Sequence, residues 1–170
     1  MGQVLSQLGV AWWKVPLLLW RARVLLRRED DGIELFPGVA ELLRELDGAD
    51  LEWGILTSNG IDVVRSALAR AGAPEPGWLE TGLGLGGKTS RLRRMARRLE
   101  VRPDELLLVS DELRDVDAAR AAGVPMIAVG WGYSSPEALE RASATVVRDV
   151  AALRKLLLPP PVEVSGTYAG

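Results

Sequence analysis

Residues Leu106 to Gly123, LLLVSDELRDVDAARAAG, join an unbroken apolar run to an aspartate, and a second aspartate follows four positions later. An apolar run without alternation suits a strand buried on both faces, as in a parallel sheet. The Ala-rich stretch Arg114 to Ala122 predicts a helix that stops at Gly123. Strand, turn and helix in that order predict an α/β fold whose ligands gather beyond the carboxyl ends of the strands.

The chain on either side keeps the same rhythm. Val39, Leu42, Leu43 and Leu46 follow helical spacing and stop at Asp47-Gly48. Leu51 to Leu56 is a short apolar run that ends in Thr57-Ser58-Asn59-Gly60, which is turn and cap chemistry. Helices are predicted over 61–71, 89–99, 136–142 and 150–157, a weak strand near Trp78-Leu79, and a buried strand over Met126 to Val129. Alternating helices and strands predict a doubly wound, mainly parallel Rossmann-like sheet. The expected organisation is a helical segment over 1–34, a core domain over 35–158 and a tail over 159–170.

Composition narrows the chemistry. The 170 residues suit one domain, and the net charge of −2 gives no general attraction to nucleic acid or membrane. The chain has neither cysteine nor histidine, so thiolate, imidazole and zinc-thiolate chemistry are excluded. Carboxylates, lysine and hydroxyls remain, and oxygen donors favour Mg²⁺. Val4 to Leu26 is apolar but broken by Gln7, Lys14, Pro16, Arg21 and Arg23, which predicts amphipathic helices rather than a membrane span. Cytoplasmic residence is expected. Trp12, Trp13 and Leu17 to Trp20 form an apolar segment suited to self-association or a partner.

Three polar sites fall at the expected ligand edge. Thr57 and Ser58 end one strand, Asp111 ends another, and Lys88 opens a helix after the Gly-rich stretch Gly82 to Gly87. Hydroxyl, ammonium and paired carboxylates together suit a phosphate with Mg²⁺. The spacing of Asp111 and Asp115 lets both face one cation. It equally suits a helix cap followed by a carboxylate at the positive helix end. GLGLGGKT (Gly82 to Thr89) also matches the P-loop pattern, and Gly82, Gly84 and Gly87 match a dinucleotide pattern, but the preceding APEPGWLET lacks the solid apolar strand both require. The arginines of helix 89–99 lack interleaved aromatics and suit a solvated face.

In order and spacing, Leu35 to Leu157 resembles the haloacid dehalogenase-like (HAD) hydrolases, particularly their phosphoglycolate-phosphatase-like branch. LEWGILTSNG resembles the strand that carries the second motif, GLGLGGKTSRLRR the third, and LLLVSDELRDVDAARAAGVPMIAVGWGYSSPEAL the fourth. Ser110 stands where a glycine is usual. The resemblance implies a Mg²⁺-dependent phosphatase for a small phosphorylated metabolite, working through an aspartyl-phosphate. Thr57, with Ser58 and Asn59, would contact the phosphate, Lys88 would balance its charge, and Asp111 assisted by Asp115 would hold Mg²⁺. Residues 1–34 would be the remnant of a helical cap.

The resemblance also implies a nucleophile, in a DxDx[TV] motif that ends the central strand. Asp30, Asp31, Asp47 and Asp50 are the aspartates before Thr57; none follows an apolar strand, and Asp115-Val116-Asp117 is the sole DxD. The central strand is therefore expected to be missing, so that its neighbours close on each other, accept a substitute or leave a gap. Without that carboxylate the chain is expected to be inactive. It would then be either a truncated phosphatase or a non-catalytic HAD-like domain that binds a phosphate ligand or a partner.

Overall fold

The computed structural model describes residues 17–21, 25–29, 32–49, 51–57, 59–81, 87–142 and 145–158. In chain order these form β1 (Leu17–Arg21), β2 (Leu26–Glu29), β3 (Gly32–Leu35), α1 (Val39–Gly48), β4 (Glu52–Thr57), α2 (Ile61–Arg70), β5 (Trp78–Thr81) and α3 (Gly87–Arg98). A 3₁₀ turn (Pro103–Glu105) then leads to β6 (Leu106–Ser110), α4 (Leu113–Ala122), β7 (Met126–Val129), α5 (Pro136–Ala142), β8 (Val146–Val147) and α6 (Val150–Leu157).

Six strands form one sheet in the order β5-β4-β1-β6-β7-β8, and every pairing in it is parallel. Alternate residues of its strands enter two separate cores. Leu107, Val109, Ile127 and Val129 pack with Val39, Leu42, Leu43, Leu46, Val64, Leu68 and Leu153 from α1, α2 and α6. Leu106, Leu108, Met126 and Ala128 pack with Leu92, Met95, Ala119 and Leu139 from α3, α4 and α5. A sheet covered on both faces needs apolar residues on both, which is why β6 and β7 read as continuous apolar runs. Each fully buried Leu or Val contributes about 1.5–3 kcal/mol relative to an exposed one. β4 has a glycine at Gly54 because the Trp78 ring of neighbouring β5 lies across it; a Cβ there would overlap the indole.

The doubly wound parallel architecture agrees with expectation, but the N-terminal region differs from it. The centre of the sheet is neither empty nor closed up. Leu17–Arg21 fills it, with Leu17 to Arg21 opposite Glu52 to Leu56 of β4 and Leu17 to Trp20 opposite Leu106 to Val109 of β6. LLLW was expected to belong to amphipathic helices and to offer an association surface. A four-residue apolar run carries too little periodicity to separate helix from strand, and the open slot between two parallel strands decides for strand. Leu17 to Trp20 is thus the middle of the sheet.

The second difference follows directly. Of the helical segment expected over 1–34, residues 1–16, with Trp12 and Trp13, lie outside the described residues, while β2 and β3 form an antiparallel hairpin with Leu26 opposite Leu35 and Arg27 opposite Glu34. Buried Leu25, Leu26 and Leu35 anchor the hairpin to the core, and Phe36 N–H donates to the Leu25 carbonyl at 2.7 Å, which closes the open end of the hairpin. Arg70 of α2 donates to the Ile33 carbonyl from the other side. The short edge strand β8 was not anticipated.

Candidate functional site

The carboxyl ends of β4, β1 and β6 lie side by side. Thr57 closes β4, Arg21 closes β1 one register position short of Thr57, and Asp111 follows the last residue of β6. Strands are spaced about 4.8 Å apart, so Thr57 and Asp111 stand about 10 Å apart with the end of β1 between them.

Asp111 is 1% exposed and does not act as a helix cap. The cap position of α4 belongs to Glu112, which makes no side-chain cap bond. Asp111 instead turns toward the loop after β7. Its Oδ2 accepts the Tyr133 N–H at 2.7 Å, and its carbonyl accepts the Ser134 N–H at 3.1 Å. Its Oδ1 is buried and has no hydrogen-bond partner. Leaving a buried carboxyl oxygen without a hydrogen-bond partner is costly, and such an oxygen suits a cation or a ligand donor. Gly132 sits so close that a Cβ there would overlap the Asp111 Cβ and Oδ2.

Asp115 lies in the first turn of α4, where the helix dipole favours a carboxylate. Both its oxygens are engaged. Ser110 Oγ donates to Oδ2 at 2.5 Å, and Lys88 forms an ion pair with Oδ1. Ser110 is itself fully buried and lies outside the positive-φ region, so the residue that replaces the usual glycine is accommodated as strand and orients Asp115.

Lys88 enters as the second residue of α3. It also donates to Glu112 Oε2 at 2.8 Å, and Arg114 meets the same oxygen at 3.0 Å. Glu112 is 2% exposed. Sequence reasoning missed Glu112 as part of this network; its signal was its place between the two aspartates at the mouth of a buried strand. Thr57 is buried, and its Oγ1 accepts the Asn59 N–H at 2.9 Å. Ser58 and the residues of the Gly-rich loop before Gly87 lie outside the described residues.

The structure therefore joins Lys88 to Asp115, gives Asp111 an unfilled oxygen, and places Thr57 at the same edge of the sheet. For a divalent cation the fit rests on Asp111 Oδ1, with Asp115 Oδ1 shared with Lys88. Among the described residues no three acidic side chains gather into a metal cluster. Asp111→Asn is expected to keep the bond from Tyr133 and to remove a buried carboxyl group that lacks a full set of partners. The variant should gain about 1 kcal/mol, or about 2–4 °C in Tm, and lose any stabilisation by Mg²⁺. Thermal unfolding with and without Mg²⁺ measures both; a destabilised variant that still responds to Mg²⁺ contradicts the assignment.

The weak strand expected near Trp78-Leu79 is present as β5, four residues long with none of them fully buried, so the Gly-rich loop is not preceded by a solid apolar strand. β5 lies at the edge of the sheet, with β4 and β1 between it and the acidic end of β6. Lys88 faces Glu112 and Asp115. Arg91, expected on the solvated face of α3, is mostly covered and lies with Arg94 and Arg98 around Glu80. No helix among the described residues is long and apolar enough to cross a membrane.

The hydroxyl of Thr57, the lysine and the two aspartates thus share the carboxyl edge of one parallel α/β sheet. Residues 2–129 match the family profile described as haloacid dehalogenase-like hydrolase, and the chain belongs to that family. It is 32% identical over 137 residues to the phosphoglycolate phosphatase of Synechococcus elongatus, an alignment covering 80% of this chain and 65% of that protein. It is 30% identical over 126 residues to the tyrosine-protein kinase PtkA of Mycobacterium tuberculosis, covering 72% and 43%. Among solved structures, 3-deoxy-D-manno-octulosonate 8-phosphate phosphatase from Moraxella catarrhalis, in complex with magnesium ion, phosphate ion and KDO, aligns with a TM-score of 0.65. That alignment has 17% identity and covers 93% of this chain and 91% of the other, which is a likeness of fold. The chain spans 43% to 65% of the length of the curated relatives it matches.

Proposed function

We propose that this chain is a phosphate-recognising member of the family that does not complete hydrolysis. Thr57, with Ser58 and Asn59, would receive the phosphate of a small monoester, and Lys88 would balance its charge. Mg²⁺ would sit against Asp111 Oδ1, with Asp115 assisting where Lys88 yields it, and would supply charge neutralisation at the phosphate. The observation that carries the reading is the end of the central strand. The aspartyl-phosphate chemistry of the family needs a carboxylate there, and the residue that closes β1 is Arg21. A guanidinium remains protonated at any ordinary pH, so it cannot attack phosphorus, but it binds phosphate oxygens well. A second arginine, Arg23, follows two positions later in the sequence.

A second reading is the family's phosphatase activity on a phosphoglycolate-like substrate. It is favoured by the unpartnered oxygen of Asp111, which is suited to Mg²⁺. One measurement separates the two. The purified chain should hydrolyse p-nitrophenyl phosphate with Mg²⁺ no faster than buffer, and Asp111→Asn should leave that background unchanged. Mg²⁺-dependent turnover lost in Asp111→Asn would establish the phosphatase and overturn the non-catalytic reading.

A further inference from the structure

The hairpin β2–β3 and the loop after β7 enclose a cavity of about 320 Å³ that opens beside Asp111. This is at the low end of the roughly 300–1,000 Å³ typical of small-molecule sites. Leu26 and Ile33 contribute aliphatic lining, and Phe36, Trp131 and Tyr133 contribute aromatic lining. The chain has one phenylalanine, two tyrosines and six tryptophans, and three of these nine aromatics line this one cavity. Tyr133 is 73% exposed at the edge of this cavity.

Two links join this apolar space to the polar edge of the sheet. Asn59 lines the cavity, and its N–H donates to Thr57 Oγ1, so the phosphate loop and the cavity share a residue. Asp111 also lines it, and the bond from Tyr133 N–H to Asp111 Oδ2 fixes the aromatic loop to the carboxylate. Gly132, which leaves room for Asp111, lies between Trp131 and Tyr133 in the chain, and all four residues line the cavity. Arg27 adds a guanidinium to the lining, and guanidinium groups stack on aromatic faces.

We propose that this cavity receives the ring of an aryl phosphate, with the phosphate directed to Thr57 and Lys88. The inference rests on the phosphate-recognition reading above and names its ligand class. A phosphorylated two-carbon acid would leave the aromatic lining uncovered. A planar ring fills the space, excludes water from Phe36 and Trp131, and stacks against Tyr133.

The test uses the full chain, with inorganic phosphate, 2-phosphoglycolate and phenyl phosphate as probes in titration calorimetry. Phenyl phosphate is expected to bind about tenfold more tightly than inorganic phosphate, the gain of one well-packed aromatic contact. Tyr133→Ala, which keeps the backbone N–H to Asp111, and Phe36→Leu, which keeps most of the volume, should each erase most of that advantage. Neither should change the affinity for inorganic phosphate. Inorganic phosphate that binds as tightly as phenyl phosphate overturns the aryl assignment and leaves the phosphate site standing. Binding of 2-phosphoglycolate equal to or tighter than that of phenyl phosphate overturns it as well. If none of the three anions binds, the phosphate reading falls and takes this inference with it.

Discussion

Lys88→Ala is expected to destabilise the chain by about 2–3 kcal/mol and to abolish phosphate binding. Lys88 is the cation that faces both Glu112 and Asp115, and those two carboxylates are nearly inaccessible to water. Removing one partner of a buried ion pair leaves charge in a poor solvent and costs about 3–5 kcal/mol when burial is complete. The expected loss is smaller because the Lys88 side chain is 35% exposed, Arg114 still meets Glu112, and Ser110 still donates to Asp115. For a chain of this length the Tm should fall by roughly 5–10 °C. The origin of the loss can be separated by a double-mutant cycle. Lys88→Ala on an Asp115→Asn background should cost much less, because the stranded charge is gone. Equal costs on the two backgrounds would mean that the Lys88–Asp115 pair carries no stability, and the network would then have to be redrawn around Glu112.

The same network shows where the sequence was legible. β6, α4 and β7 were readable because each satisfies its local rule. Apolar runs in β6 and β7 match a sheet buried on both faces, and Gly123 at φ 75 ends α4 as a left-handed cap. α1 was readable for the same reason, since its four spaced apolar residues are the four it buries. Thr57, Lys88, Asp111 and Asp115 were singled out through their order along the chain, and the structure brings Lys88 to Asp115. What could not be read was partnership. Lys88 and Asp115 are far apart in sequence, and nothing local shows that Ser110 takes one oxygen of Asp115 while Asp111 turns to Tyr133.

β1 is the informative failure. LLLW is short, lies between basic residues and lacks the aspartate that would mark the end of a central strand, so local pattern favoured a helix. The deciding force is non-local. β4 and β6 each present a row of backbone groups toward the same gap, and a strand paired on both sides satisfies them all. An open gap of that width would also leave apolar faces of both cores against water. Tertiary demand thus selected a strand whose composition suits the sheet while its last residue, Arg21, does not suit the chemistry usual at that position. Fold and catalysis impose separate requirements on this strand, and a chain can keep one while losing the other.

Gly132→Ala is expected to be the most damaging single-methyl change at the site, costing about 2–3 kcal/mol through overpacking. The cost does not come from backbone strain, because Gly132 lies outside the positive-φ region where glycine is otherwise favoured. It comes from overlap with the Cβ and Oδ2 of Asp111, and Cβ is fixed by the backbone and cannot rotate aside. Either Asp111 or the 131–133 loop must move, and both routes break the Tyr133 N–H bond to Oδ2. The variant should therefore lose stability and any Mg²⁺- or phosphate-dependent protection together. Gly130→Ala is the matched control, since its added Cβ would meet Pro136 Cγ at 3.1 Å and needs only a small shift of that ring. It should cost under about 1 kcal/mol and leave ligand protection intact. Gly132→Ala on an Asp111→Gly background should regain much of its loss, because the atoms it strikes have been removed. A Gly132→Ala chain that melts like the parent and keeps its ligand response would show that Asp111 does not face this loop. The geometry of the cation site and of the aromatic cavity would fail with it.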